Sequence, residues 1–413
     1  MYHTLKYVLV FLILGSALLV NPFFTSEYFE FPKFLLFLVV VGGFGVVSVL
    51  DFTFYKTKKS FSLSKLVMVF VGLLLVGNLL GYLFSDNKSV SLIGSYLRHQ
   101  GLLTNAHYLV LAGGVFYFFK RYREKGDLSN WLIFGLLAVC LVAILPIISS
   151  FAYFSPALFY DRVYGTFGNP NYLASFIVAI LPFLALSERI PRILKWLGLG
   201  VVLFTLFLTG SRSAWIAIIL AFLVFGILEL ILRKKYKVLV GGVVAVLVLV
   251  GIGFYQNMAD TSSLSRLSVK SDDLVSANTR FELWEAGVKT FFDAPLTGHG
   301  QDLVQGNIEK HLPEYLQSNS VFFVDRSHSE FIDMAVTTGI FGFLGYLGLI
   351  LCVFFMGVRA LYKGKLKNRT VVLAALMGFS ALNLYNAVNF STISTNVLLY
   401  LFIGLILAFS DSK

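Results

Sequence analysis

The stretch EFIDMAVTTGIFGFLGYLGLILCVFFMG, residues 330–357, decides the fold. Its only ionisable carboxylates, Glu330 and Asp333, stand in what would be its first turn, and everything after them is uncharged. A helix needs roughly 20 apolar residues to cross about 30 Å of hydrocarbon, and this run exceeds that. It is continuously apolar rather than alternating, so it reads as a spanning helix and not as a barrel strand. Working outward, comparable runs recur near 5–24, 31–50, 63–84, 102–119, 131–151, 171–187, 193–209, 213–232, 238–254, 370–386 and 391–409, which makes twelve. With 57% hydrophobic and 13% charged residues over 413 positions, a water-soluble sphere would expose very large apolar patches. The expected fold is therefore all-α: a polytopic transmembrane helical bundle of about 12 spans, forming one integral membrane domain over 1–413. The first run lacks a strongly basic flank and a small-residue cleavage site, and reads as a retained span.

Directly before the quoted stretch lies the longest polar segment, 255–329, between spans nine and ten; it ends in Arg326-Ser327-His328-Ser329. Alternate short connections, together with Lys6 and Lys413, carry 22 Lys and Arg, whereas the opposite side carries only Lys33, Lys88, Arg98, Arg162 and Arg212 outside the long segment. The positive-inside rule then places both termini in the cytoplasm and the 255–329 loop outside it. That loop holds 6 Lys and Arg against 10 Asp and Glu, so the net charge of +11 is an inner-face topological signal. It gives no reason to expect a nucleic-acid partner.

Cys140 and Cys352 both fall inside expected spans, so no disulfide framework is read. No HExxH, paired CxxC, P-loop or Asp-rich cluster occurs, and neither a metal nor a cofactor is expected. No internal repeat suggests an inverted-repeat transporter. Ionisable groups in hydrocarbon cost at least roughly 2.5–3.5 kcal/mol each and are kept mainly for ion or proton pathways. Here the span interiors hold almost none, which argues against a pump or flippase. The charges gather at the outer span ends, where a lipid headgroup is met.

Three outward segments carry candidate residues. The first, Gly165-Thr166-Phe167-Gly168-Asn169-Pro170-Asn171-Tyr172, reads as the turn that starts span six, with Pro170 at a first helical position. The second, Thr209-Gly210-Ser211-Arg212-Ser213-Ala214-Trp215, is a very short hairpin that places an arginine at the membrane surface. The third is in the long loop, where Phe281, Trp284, Val288 and Phe291 form a helical stripe expected to lie along the membrane or cap the bundle. Asn278 is the expected cap of that helix, which puts Arg280 in its first turn, and a second short helix is expected around 302–316. A cation there is unfavourable to the isolated helix, so an anion from elsewhere is its expected partner.

With these motifs in order, the chain resembles the O-antigen ligase and polymerase-like membrane glycosyltransferases, which include the protein O-oligosaccharyltransferases. The likeness runs over nearly the full length. It is carried by the Gly-Asn-Pro-Asn turn at 168–171, the 210–215 hairpin, the Arg280 to Trp284 helix, Pro295-Leu296-Thr297-Gly298-His299-Gly300, and Ser327-His328-Ser329-Glu330-Phe331. Where the family often has His-Asn, this chain has His328-Ser329. The resemblance implies a GT-C-like bundle in a bacterial cytoplasmic membrane with an extracytoplasmic site. It implies transfer of a glycan from an undecaprenyl-pyrophosphate-linked donor to a glycan, lipid or protein acceptor, without a metal.

The residue types suit that chemistry. Breaking a sugar–phosphate bond leaves a pyrophosphate of growing negative charge, and fixed guanidinium groups can stabilise it by gripping phosphate oxygens bidentately. Arg212 and Arg280 are the first candidates, with Arg162 and Arg326 secondary; Asn169, Asn171 and Trp284 stand beside them in sequence. The acceptor hydroxyl needs a base, and imidazole titrates near neutrality. Of six histidines, His328 is preferred for its place at the mouth of a span, and His299, in a Gly-flanked turn, is the competitor. Glu330 could orient the imidazole or simply begin the helix with favourable charge. A lipid-linked glycan transporter and a peptidoglycan-type polymerase are the alternatives from other classes.

Overall fold

A computed structural model describes residues 1–21, 29–54, 63–122, 128–148, 162–232, 271–314, 324–363 and 368–410, with backbone alone at 146–148, 232 and 271–278. Among the described residues there is no β-strand and there are fourteen α-helices. They are α1 (Tyr2–Leu18), α2 (Glu30–Phe54), α3 (Lys65–Phe84), α4 (Lys88–Ile93), α5 (Leu102–Arg121), α6 (Ser129–Ile148) and α7 (Pro170–Leu186). Then follow α8 (Arg192–Thr209), α9 (Arg212–Leu232), α10 (Ser271–Asp293), α11 (Val304–Ile308), α12 (Glu330–Tyr362), α13 (Arg369–Asn386) and α14 (Ile393–Ser410). Helices α2, α3, α5, α8, α9, α12 and α14 are long and apolar enough to cross a membrane, and α1, α6 and α7 are shorter apolar helices. The protein is a polytopic helical membrane protein. Expected span 370–386 coincides with α13, whose outer end is made more polar by Asn383 and Asn386. Expected span 238–254, with residues 255–270 of the long loop, lies outside the described residues.

Helix α14 runs through the middle of the bundle with nearly every residue buried, and it packs along α5. Helix α3 packs along α12, and α13 against α7 and α9. At the α3–α12 crossing Gly77 meets the backbone of Gly342. Lipid tails are as apolar as leucine, so close backbone approach through small residues is what holds such helices together.

Two departures from regular helix position the outer end of the molecule. Helix α12 is broken at Gly339, whose φ of 62° and ψ of −167° are not helical. The Pro295–Gly300 segment fills the break: Ile340 N–H donates to the Pro295 carbonyl (2.8 Å), His299 N–H to Val336 (2.9 Å) and Gly300 N–H to Thr337 (3.0 Å). Any Cβ at Gly298, where φ is 69°, would stand 2.5 Å from the Thr337 backbone. The second departure is the link from Ala387 to Thr392 between α13 and α14, which is held by Glu330 as described below.

Helix α10 runs beside the first part of α12 in the same direction, with Trp284 near His328, Gly287 against Ile332 and Pro295 joined to Ile340. Two expectations for the loop are corrected. The helix already runs from Ser271, where the described residues resume, through Asn278, so Asn278 does not cap it and Arg280 lies in its interior. The expected apolar stripe is divided: Phe281 is 63% and Val288 44% exposed, whereas Trp284 and Phe291 are partly buried and Leu283, Ala286 and Thr290 are buried. The small Ala286 and Gly287 let the helix close on α12, since a Cβ at Gly287 would come within 2.5 Å of Ile332. The second loop helix is also shorter than expected, being α11 and a 3-10 turn, Glu309–His311.

Candidate active site

The candidate residues are carried by the segment before α7, the α8–α9 turn, α10, the segment before α12 and the end of α13. Helix α7 starts as its sequence indicated: the Asn169 side chain accepts the Asn171 N–H (2.8 Å) and Pro170 holds the first helical position. The turn before it, Gly165–Phe167, is tied to α2 by buried Lys33, whose Nζ donates to the Thr166 carbonyl (2.8 Å). Helix α8 ends on Gly210 at φ 60°, and α9 starts two residues later. Arg162 lies across this turn. Its Nε donates to the Thr209 carbonyl (2.5 Å) and its Nη2 to Asn171 Oδ1 (3.1 Å), and a Cβ at Gly210 would come within 3.2 Å of Nε. From α13, Tyr385 OH donates to the Asn171 carbonyl (2.8 Å) and Asn389 Nδ2 to Ser213 Oγ (3.0 Å).

Arg280 enters from α10 and acts electrostatically on Arg162, Tyr385 and His328. Both arginines are half-buried, and among the described residues neither is paired with a carboxylate. Burial, and then the charge of Arg280, push the Arg162 guanidinium below its ordinary value; burial does the same to Arg280. Two partly desolvated like charges are unfavourable as they stand and become favourable when an anion lies between them.

His328 has a φ of 58°, in the left-handed region that non-glycine residues seldom adopt. The residues around it hold that backbone. Ser327 N–H donates to Asp333 Oδ1 (3.0 Å), Ser327 Oγ donates to the Ser329 carbonyl (3.1 Å), and Trp284 Nε1 reaches the His328 carbonyl (3.4 Å). The imidazole centroid lies 5.2 Å from that of Phe390, and Nδ1 is buried with no hydrogen-bond partner. Burial first, then the charge of Arg280, drive its pKa down to about 4 in spite of Asp325. The ring is neutral at neutral pH and can accept a proton.

Other expected site residues lie elsewhere. Arg326 is buried, with Nη2 on Asp302 Oδ1 (2.6 Å) and Nη1 3.8 Å from Asp333. Glu330 does not orient the imidazole: its Oε2 accepts the Ser391 N–H (2.9 Å) and its own N–H donates to the Asn389 carbonyl (2.9 Å), fixing the α13–α14 link. His299 Nε2–H donates to the Thr290 carbonyl (2.9 Å) and belongs to the join between α10 and α12. Arg212 is exposed at the start of α9, flanked by Ser211 and Ser213. Arg162, secondary in the sequence reading, is the arginine that accompanies Arg280. Tyr385 lies inside the expected span 370–386, and Asn389 and Phe390 lie in the short connection after it; asparagines at 383, 386 and 389, repeating every three residues, are the sequence signal for this part of the site.

Residues 197–347 match the family model described as O-Antigen ligase. Over these residues the chain is similar to that family. That region contains the Gly210 turn, Arg212, Arg280, the Pro295–Gly300 join and His328, whereas Arg162, Asn171 and Tyr385 lie beyond it. An uncharacterized protein of Haemophilus influenzae is 22% identical over 214 residues, which are 50% of this chain and 53% of that protein. The chain thus spans about half the length of this curated relative. Arg162, outside the matched region, and Arg280, inside it, act on each other, and Arg280 acts on His328.

Proposed function

We propose that the protein is an O-antigen ligase-type membrane glycosyltransferase that moves a glycan from a polyprenyl pyrophosphate, of the undecaprenyl kind, to an acceptor hydroxyl at the outer face of a bacterial cytoplasmic membrane. One observation carries this reading: two guanidinium groups without carboxylate partners among the described residues act on each other, and one of them, Arg280, acts on a neutral imidazole whose Nδ1 is buried and unpartnered. His328 takes the proton of the acceptor hydroxyl. The hydroxyl oxygen then bonds to the anomeric carbon, and the bond from that carbon to the pyrophosphate oxygen breaks with its electron pair leaving on the pyrophosphate. A single displacement of this kind inverts the anomeric centre. Arg280 and Arg162 hold the departing pyrophosphate, and their charge counts most where negative charge is growing. Arg212, exposed at the rim of the same turn, meets the donor earlier, as its headgroup arrives. The acceptor is a glycan, a lipid or a protein hydroxyl.

The test is transfer by the purified protein in liposomes supplied with labelled polyprenyl-pyrophosphate glycan and an acceptor. Product should form with the wild type and disappear with His328→Ala, while labelled donor still binds to the variant. Movement of the donor across the bilayer without product, unaffected by that substitution, would instead make the protein a transporter.

A further inference from the structure

We propose that Arg98, on the link between α4 and α5, is a positioning residue for His328: one guanidinium clamps the chain before the histidine, the ring against its imidazole and the start of α7 into a single arrangement. The proposal rests on His328 being the base and adds how that base is held.

The contacts are these. Arg98 Nε donates to Asp325 Oδ2 (2.9 Å), and Nη2 donates to the same oxygen, so the guanidinium forks onto the carboxylate three residues before His328. Nη1 donates to Tyr172 OH, next to the Asn171 that receives Arg162. The guanidinium carbon lies 4.6 Å from the Phe390 centroid, and Phe390 in turn lies 5.2 Å from the imidazole. Segments near 172, 325 and 390 thus share one cation. A guanidinium can do this because its donors lie in one plane and its face stacks on an aromatic ring; an ammonium has neither property.

Arg98 is itself on a rigid link. Asp302 Oδ2 accepts the N–H groups of Ser95 (2.6 Å) and Gln100 (3.2 Å), and Gln100 Nε2 donates to the Ser391 carbonyl (3.1 Å). With its own hydrogen bonds made to Asp325 and Tyr172, Arg98 acts through neighbours rather than on a substrate. It also sets the charge at the base. The charged groups acting on the His328 imidazole are Arg280 from α10, Asp325 on its own segment and Arg98. Burial works against the Asp325 carboxylate, yet Arg98, helped by Arg326, holds it below the ordinary carboxylate range. Removing Arg98 takes away one cation and leaves Asp325 uncompensated, and both changes favour protonation of His328.

The experiment is steady-state transfer by the full-length protein in nanodiscs, with labelled polyprenyl-pyrophosphate glycan as the probe, measured from pH 4 to pH 8. Arg98→Gln should lower kcat on the order of 10 to 100-fold, as expected for a misplaced base, with donor KM changed less than about twofold. The acid limb of kcat/KM should move up on the order of one pH unit. Arg98→Lys should return the acid limb towards wild type, since a cation again faces Asp325, but should leave kcat low. Should Arg98→Gln fail to fold by size exclusion, Phe390→Leu removes the ring alone, and kcat should fall with the acid limb unmoved. Wild-type kcat and acid limb in folded Arg98→Gln would overturn the proposal, as would a loss confined to donor KM. No transfer by the wild type would instead overturn the function proposed above.

Discussion

Two neighbouring charged clusters of this molecule are built in opposite ways. Around Arg326 the charges are matched: its guanidinium meets Asp302 and Asp333, and Asp302 is further covered by backbone N–H groups of the 94–101 link. Around Arg280 they are not: Arg162 and Arg280 have no carboxylate among the described residues, and Nδ1 of His328, on which Arg280 acts, has no partner. A paired cluster serves architecture. An unmatched one lowers the stability of the empty protein and gains when an anion and a proton donor arrive.

If this contrast is right, substitution separates the clusters by what is lost. The largest effect belongs to His328→Ala, which should cut transfer by about 100 to 10,000-fold, the range for a lost general base, with folding unchanged. Product release and donor binding, followed with labelled donor, would show whether only the chemical step is affected. Next comes Arg326→Gln, which leaves two buried carboxylates without their cation and should cost about 3–5 kcal/mol of stability. A fall in the thermal unfolding midpoint is the expected reading, and an unchanged midpoint with lost transfer would place Arg326 at the substrate after all.

Arg280→Gln should show the reverse pattern. Transfer falls about 100 to 1000-fold, while the unfolding midpoint stays or rises, because a desolvated unpaired cation has been removed. Arg280→Lys should rescue poorly, since it lacks the planar fork. Arg162→Gln follows in size and in kind. The smallest effect is on pH. The base works only unprotonated, and its pKa is lowered to about 4, so kcat/KM should hold from neutrality downwards and fall only as the pH drops through that value. A bound pyrophosphate offsets the charge of Arg280, so the acid limb of kcat should lie above that of kcat/KM. An acid limb of kcat/KM near the ordinary histidine value would mean that the imidazole is wetter than its burial indicates.

Much of this architecture was legible in the sequence because it is local. Apolar run length gave the apolar helices among the described residues, and Asn169-Pro170 gave the start of α7. The site was only half legible. Which arginine joins Arg280 depends on a left-handed Gly210 that lays Arg162 across the 209–213 turn and leaves Arg212 exposed. Arg326, Glu330 and His299 looked available until partners distant in sequence, Asp302, Ser391 and Thr290, were found to hold them. In α10 the residues that close on α12 are the small Ala286 and Gly287, which a stripe of large apolar residues does not reveal.

The Pro295–Gly300 segment matters for what kinds of change the family region can tolerate. Its backbone, rather than its side chains, completes the broken α12, through the Pro295 carbonyl and the N–H groups of His299 and Gly300. Most side chains there could be exchanged with modest effect, provided the glycines stay. Inserting or deleting one residue would slide those groups past Val336, Thr337 and Ile340, stranding them in surroundings with few substitutes, so drift in this stretch is confined to spelling and barred from length.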